Sequence, residues 1–154
     1  MAKRTKNQSD QNRYRHGQDA HRTVCWHRLR RARALIAAAS NLQSDDTKTA
    51  KAELQWVLDN SKEEGMKALA ALHLAGVLLD ENNPAAALAL LDAPHEEAFA
   101  DLFSDRKGDA LVMQNKRDEA RAAYKIALEK LPENSPYRKV VEIKLNAIAG
   151  VAAK

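Results

Sequence analysis

The segment from Gly108 to Pro132, GDALVMQNKRDEARAAYKIALEKLP, places the strongest constraint on what this chain can fold into. Gly108 and Ala120 are small residues that let two antiparallel helices approach closely, and Tyr124 is large enough to fill the space beside them. Pro132 is expected to end the second helix. The segment therefore predicts a tightly packed helical hairpin. Because such a hairpin cannot bury its apolar face alone, we expect other hairpins to stack on it.

Three small residues mark the second helix of three predicted hairpins. Ala50, Ala87 and Ala120 follow one another at intervals of 37 and 33 residues. The tetratricopeptide repeat has a period of about 34 residues and the same order of small and aromatic positions. The sequence therefore predicts an all-α, tetratricopeptide-like α-solenoid of about three helical hairpins. A C-terminal capping helix that runs to Gly150 is expected to shield the open end with a polar face.

The composition agrees with packed helices but divides the chain in two. Apolar residues make up 45% of the 154 residues and aromatic residues only 5%, which favours close helix packing over a sheet. Residues 1–33 contain ten Lys or Arg and two Asp, although the whole chain carries only +4. We therefore predict a basic, disordered N-terminal arm at 1–33, a repeat domain at 34–150 and a tail at 151–154.

Local signals place the start of the second hairpin. Ser61 followed three residues later by Glu64 predicts a capping box at the first helix of that hairpin. Pro84 is expected at the first position of its second helix, where the missing amide costs nothing.

The sequence gives no support for an enzyme or for a membrane-spanning protein. The acidic pair Glu63 and Glu64 would point about 100° apart on a helix and could not act on one substrate. No stretch supplies a nucleophile, a base and a stabilising group together, so we predict a protein that is not an enzyme and needs no cofactor. The apolar run at 34–39 is too short to cross a bilayer. As written, the chain is expected to be soluble.

The arm offers two kinds of ligand chemistry. Four of its residues are of the types that bind zinc: His16, His21, Cys25 and His27. Their spacing fits no established finger, so we predict no metal site. The basic side chains of the arm could neutralise the phosphates of nucleic acid or of anionic lipid, while a flexible arm without a functional partner is the simpler interpretation, and nucleic acid is not the partner we expect.

Four stretches from Thr47 to Gly150 carry a resemblance to a known family. They are TAKAELQWVLDNSKE, ALHLAGVLLDE, DRKGDALVMQNKRDEARAAYKIALEK and VVEIKLNAI. In this order they resemble the YfgM-type tetratricopeptide family, the ancillary subunits of the bacterial SecYEG translocon. The region from Thr47 to Gly150 that contains them spans about two thirds of the chain, and RKGD joined to DEARAAY is more particular than a general repeat consensus.

This resemblance implies a non-catalytic protein-protein interaction domain that links the translocon to periplasmic chaperones or to unfolded client polypeptides. It also implies a location at the inner membrane, with the repeats on the periplasmic side. The family has a membrane-spanning helix before its repeats, which this chain lacks as written. The alternative is a soluble tetratricopeptide adaptor whose basic arm binds nucleic acid or an anionic membrane.

A partner-binding groove is expected on the first helices of the hairpins, which line the concave side of such stacks. Steps of three and four residues select its members: His73, Val77, Asp80, Leu102, Asp105, Asp109 and Val112. Replacing Leu102, Val77 and Val112 with alanine is predicted to weaken partner binding without unfolding the domain.

Overall fold

The computed structural model describes residues 28–150, and their side chains through residue 148. The first helix, α1, occupies residues 28–43. The later helices are α2 (Thr47–Asn60), α3 (Glu64–Asp80), α4 (Pro84–Leu91), α5 (Ala100–Met113), α6 (Arg117–Lys130) and α7 (Tyr137–Gly150), with a short 3-10 helix at Glu97–Phe99. All regular structure in the described range is therefore helical, which confirms the predicted all-α class.

The helices pack in chain order. α2 contacts α3, α3 contacts α4, and so on to α7, while α3 also contacts α5 across the intervening helix. The first helices of the second and third hairpins therefore lie side by side. This sequential contact is the arrangement of a helical-hairpin stack.

Three clusters of buried side chains run through the stack, and each joins one hairpin to the helix that follows it. The first joins α1, α2 and α3, and includes Leu54 and Val57. The second joins α3, α4 and α5, and the third joins α5, α6 and α7 around Tyr124. Ala50, Ala87 and Ala120, which marked the repeat in the sequence, are each completely buried. Their small size lets the second helix of each hairpin lie close against its neighbours.

The turn inside each hairpin has the same backbone geometry. Asp45, Asn82 and Asn115 have φ values of 63°, 57° and 61°, and they recur at the same 37- and 33-residue intervals as the buried alanines. In each turn the next N–H donates to a carbonyl five residues earlier, as in Lys116 to Leu111 at 2.9 Å. This is the Schellman ending of a helix, which favours Gly or Asn in the left-handed position.

Two local expectations did not hold. Ser61 does not cap α3, which begins at Glu64; its N–H bonds the Val57 carbonyl at the end of α2, and its hydroxyl accepts from the Glu63 N–H. The predicted capping box is therefore wrong. In α7 the outward face is not uniformly polar, because Val140 and Ile143 are exposed there.

The predicted boundary at residues 33 and 34 falls within α1, since residues 28–33 are helical. Residues 1–27 of the predicted arm and the tail at 151–154 lie outside the described residues, as do His16, His21, Cys25 and His27.

Candidate protein-interaction surface

Two neighbouring rows of side chains, on α3 and α5, form a mixed apolar and charged surface. The row on α3 has steps of four, three and four residues, as does the row on α5. A Cβ atom placed on Gly76 would lie only 3.9 Å from the Arg106 guanidinium carbon, which shows that the two rows lie side by side. We call this the α3–α5 surface. Its residues are Leu69, His73, Gly76, Asp80, Leu102, Arg106, Asp109 and Met113.

Apolar side chains lie at both ends of this surface. Leu69 is 39% exposed and Met113 is 42% exposed, while Leu102 is half-buried. Charged groups lie between them, with Arg106 and Asp109 3.8 Å apart on α5. Such a mixture suits recognition of a polypeptide, in which a few apolar anchors supply affinity and charges set orientation.

Five of the seven predicted groove residues remain accessible. His73 and Asp80 are exposed on α3, and Leu102 and Asp109 are partly exposed on α5. Val112 is 41% exposed but faces α7 instead of α3. It lines a separate cleft of about 270 Å³ with Arg117, Tyr124, Lys144, Ala147 and Ile148.

Val77 and Asp105 cannot line a surface groove. Val77 is 2% exposed and belongs to the core of the stack, and Asp105 is 1% exposed. The structure therefore corrects these two assignments. Alanine at Val77 is therefore expected to destabilise the fold, because truncating a buried aliphatic side chain leaves a cavity.

Asp105 is instead the centre of a polar network that joins α5 to α7. The Lys144 ammonium lies 2.9 Å from both carboxylate oxygens of Asp105 and 2.9 Å from Asp109 Oδ2. The Tyr137 hydroxyl donates to Asp105 Oδ2 at 2.7 Å. A buried carboxylate with these partners is compensated in charge and in hydrogen bonding.

A second tyrosine closes the network from α6. The Tyr124 hydroxyl donates to Asp109 Oδ1 at 2.7 Å, and the Lys144 ammonium lies 5.7 Å from the centre of the Tyr124 ring. Burial, and then the hydrogen bond to Asp109, raises the pKa of Tyr124 well above its usual value. Burial and the bond to Asp105 raise the pKa of Tyr137 in the same direction. Both phenols therefore serve as neutral donors that hold the last three helices together.

Four residues of this surface were not predicted from the sequence: Leu69, Gly76, Arg106 and Met113. The predicted row on α3 stepped from His73 to the buried Val77, and the predicted row on α5 included the buried Asp105. The exposed rows pass through Gly76 and Arg106 instead. Gly76 was the available signal. A glycine on an apolar helix marks the place where another helix or a long side chain comes close, and here that side chain is Arg106.

Neither a metal-binding cluster nor a membrane-spanning helix is found in the part of the chain that the structure describes. Among residues 28–148, no group of three or more His, Cys, Asp or Glu side chains converges as a metal site would require. None of the helices described is both long enough and apolar enough to cross a membrane.

Comparison with known proteins identifies the repeat. The tetratricopeptide repeat-like domain family matches residues 5–150. The ancillary SecYEG translocon subunit of Neisseria gonorrhoeae (strain ATCC 700825 / FA 1090) is 41% identical over 114 residues, which are 74% of this chain and 54% of that protein. The ancillary SecYEG translocon subunit of Escherichia coli (strain K12) is 29% identical over 96 residues, 62% of this chain and 47% of that protein.

The chain thus spans about half the length of these two relatives. No solved structure shows a significant match. The relatives confirm the resemblance drawn from the repeat sequence, and the names of the family and of the relatives point to a non-catalytic protein-interaction protein. Since the family match extends over nearly the whole sequence and the helices stack in sequential pairs, the chain belongs to the tetratricopeptide repeat-like domain family.

Proposed function

We propose that this protein is the repeat domain of an ancillary subunit of the SecYEG translocon and that it binds other polypeptides through the α3–α5 surface. The observation that carries this proposal is the 41% identity to the Neisseria subunit, which extends over 74% of this chain. The matched length is sufficient to include most of the stacked hairpins. The translocon itself is the partner that the relatives' name suggests.

The surface supports a role in holding polypeptides. Its exposed apolar side chains, Leu69 and Met113, lie at opposite ends of the two rows, and Arg106 and Asp109 lie between them. An extended segment laid along these rows could bury apolar residues at both ends and pair its polar groups in the middle. Because α5 is fixed to α7 by Asp105 and Lys144 and α3 packs directly on α5, little conformational entropy would be lost on binding.

The proposal also extends to the partners of the repeats and to the compartment in which they lie. We propose that periplasmic chaperones or unfolded clients emerging from the channel occupy the α3–α5 surface, with the repeats on the periplasmic side of the inner membrane. The mixed character of the surface supports this, since a few apolar anchors with charges between them suit segments that carry both apolar and polar side chains.

Site-specific photo-crosslinking tests the proposal in the cell. A photoreactive amino acid replaces Leu69 or Met113 in the full chain, expressed in bacteria that carry the SecYEG translocon. Ile126 is the matched control, because it is an apolar residue of similar exposure, 46%, on the second helix of the third hairpin. We expect crosslinks to translocon subunits, chaperones or exported polypeptides from positions 69 and 113. Equal crosslinking from position 126 would exclude the α3–α5 surface as the binding site.

A further inference from the structure

The outward face of α1 combines aliphatic and cationic side chains. Its exposed positions recur at steps of four, three and four residues, at Leu29, Arg33, Ile36 and Ser40. Leu29 is 55% exposed and Ile36 is 70% exposed. Two large aliphatic side chains are thus left in water on the first helix of the stack, beside arginine.

A basic cleft of about 690 Å³ adjoins this face. Its lining residues are Arg28, Arg30, Arg31, Trp56, Asn60, Lys62 and Glu63. Arg28 and Arg31 both bind the Glu63 carboxylate, at 3.0 and 2.9 Å, so this single carboxylate offsets only part of the four positive charges. The Arg30 guanidinium lies 4.8 Å from the centre of the Trp56 ring, which keeps an aromatic side chain next to the cations.

The chemistry of this region selects one kind of partner. A second copy of the same face would place arginine against arginine, which is repulsive. A nucleic acid would neutralise the cations but would leave Leu29 and Ile36 in water. An anionic lipid surface satisfies both groups, because it offers phosphates and an apolar layer directly beneath them.

We propose that this end of the stack binds the surface of an anionic lipid bilayer. Arg30, Arg33 and Lys62 contact lipid phosphates, while Leu29 and Ile36 enter the boundary between headgroups and acyl chains. Trp56 lies at the level of the headgroups, where aromatic side chains with a polar edge are favoured. We call Leu29, Arg30, Arg33, Ile36, Trp56 and Lys62 together the α1 face.

The position of this face in the chain strengthens the proposal. Residues 1–27 precede α1 directly and contain six Lys or Arg but only two Asp. Their positive charge is therefore attached to the same end of the stack as the α1 face. Each Lys or Arg near an anionic membrane surface contributes about 1 kcal/mol to binding at moderate ionic strength.

Vesicle binding by the full chain tests the cationic part of the α1 face. Sedimentation with phosphatidylcholine vesicles containing about 30% phosphatidylglycerol gives the partition coefficient, with pure phosphatidylcholine as the neutral surface. The variant R30Q/R33Q/K62Q should lower this coefficient by about 100-fold, since three contributions of the size above multiply. Arg28 and Arg31 are retained because they bind Glu63.

A matched variant removes the same charge elsewhere. K116Q/K125Q/K139Q neutralises three exposed lysines on the later part of the stack and should lower the coefficient by less than about fivefold. If the two triple variants lose binding equally, attraction by net charge or by residues 1–27 suffices, and the proposal is overturned.

The apolar contact has its own test. In a Trp26→Phe background the tryptophan fluorescence comes from Trp56 alone, and phosphatidylglycerol vesicles should shift its emission to shorter wavelength. L29S/I36S should abolish that shift and weaken binding, whereas V140S/I143S, which changes two exposed residues of α7, should leave both intact. An unshifted Trp56 emission would overturn the proposal. So would tighter binding to a single-stranded oligonucleotide that L29S/I36S leaves unchanged.

Discussion

Gly108 is the residue on which the packing of the third hairpin depends most directly. A Cβ atom at this position would lie 2.6 Å from Tyr124 Cδ1 and 2.8 Å from Tyr124 Cζ. The ring cannot withdraw easily, because it is 2% exposed and its hydroxyl is bonded to Asp109. Gly108→Ala should therefore lower the free energy of unfolding by about 1–3 kcal/mol, the usual cost of overpacking a core.

The matched control for this prediction is Gly76→Ala. The nearest atom to its new Cβ would be in the Arg106 side chain, at 3.9 Å, which is an ordinary contact. Alanine should then raise the free energy of unfolding by about 0.5–1 kcal/mol, because it is the better helix former. Urea denaturation measures both variants. If G108A is as stable as G76A, the close approach of α5 and α6 is not as described.

The buried pair of Asp105 and Lys144 gives a second prediction at this scale. Lys144→Met leaves the 1% exposed carboxylate of Asp105 without its cation, so the free energy of unfolding should fall by about 3–5 kcal/mol. The double variant D105N/K144M removes both charges and should recover much of that loss. Lys107→Met, whose partner Asp92 is exposed, should cost less than about 1 kcal/mol. A double variant less stable than K144M would contradict this account of the network.

At the scale of helices, the start of α6 differs from its two counterparts. Asp46 and Asn83 cap α2 and α4 by accepting from the N–H groups of Thr49 and Ala86. Lys116 is in the same position before α6 and makes no side-chain cap. Lys116→Asn should therefore raise the free energy of unfolding by about 0.5–2 kcal/mol.

The reverse change supplies the control for the cap. Asn83→Lys removes the bond to the Ala86 N–H and should lower the thermal midpoint, while Lys116→Asn should raise it. Differential scanning calorimetry compares the two variants with the parent chain. A lower midpoint for K116N would show that the three turns are not equivalent.

The spacing of the repeat made the helices predictable, whereas single residues at their ends were less informative. The buried alanines and the left-handed Asn82 and Asn115 follow one period, so each hairpin reinforces the interpretation of the next. The capping box predicted at Ser61 was wrong because the backbone N–H of this residue continues the hydrogen bonding of α2, which no local sequence pattern reveals. The assignment of Asp105 to the groove was wrong because its partner Lys144 lies 39 residues away in the sequence. A charged residue at helical spacing gives the same sequence pattern whether or not α7 covers it.

For the whole molecule, the two buried tyrosines predict a loss of stability in alkaline solution. Their pKa values are raised in the folded chain, first by burial and then by their carboxylate partners. The stabilisation from these two tyrosines is therefore complete below about pH 10, which is the pKa of tyrosine in the unfolded chain. It is lost as the pH rises above that value. The free energy of unfolding, measured by urea denaturation from pH 8 to pH 11, should fall above about pH 10.

Variant Y137F tests the source of this dependence. Removing the hydroxyl that donates to Asp105 should lower stability at pH 8 and make the decline above pH 10 shallower. An equally steep decline in Y137F and in the parent chain would assign the alkaline transition to other groups.

The stack as a whole fixes two rows of side chains on α3 and α5, which we propose as the surface for another polypeptide. The most direct test is the affinity of the full chain for detergent-solubilised SecYEG translocon, measured by microscale thermophoresis. L69S/M113S should weaken binding by about tenfold or more, as expected when apolar anchors are truncated, while I126S should bind like the parent chain. Unchanged affinity in L69S/M113S, with intact binding by the parent chain, would contradict the assignment of this surface.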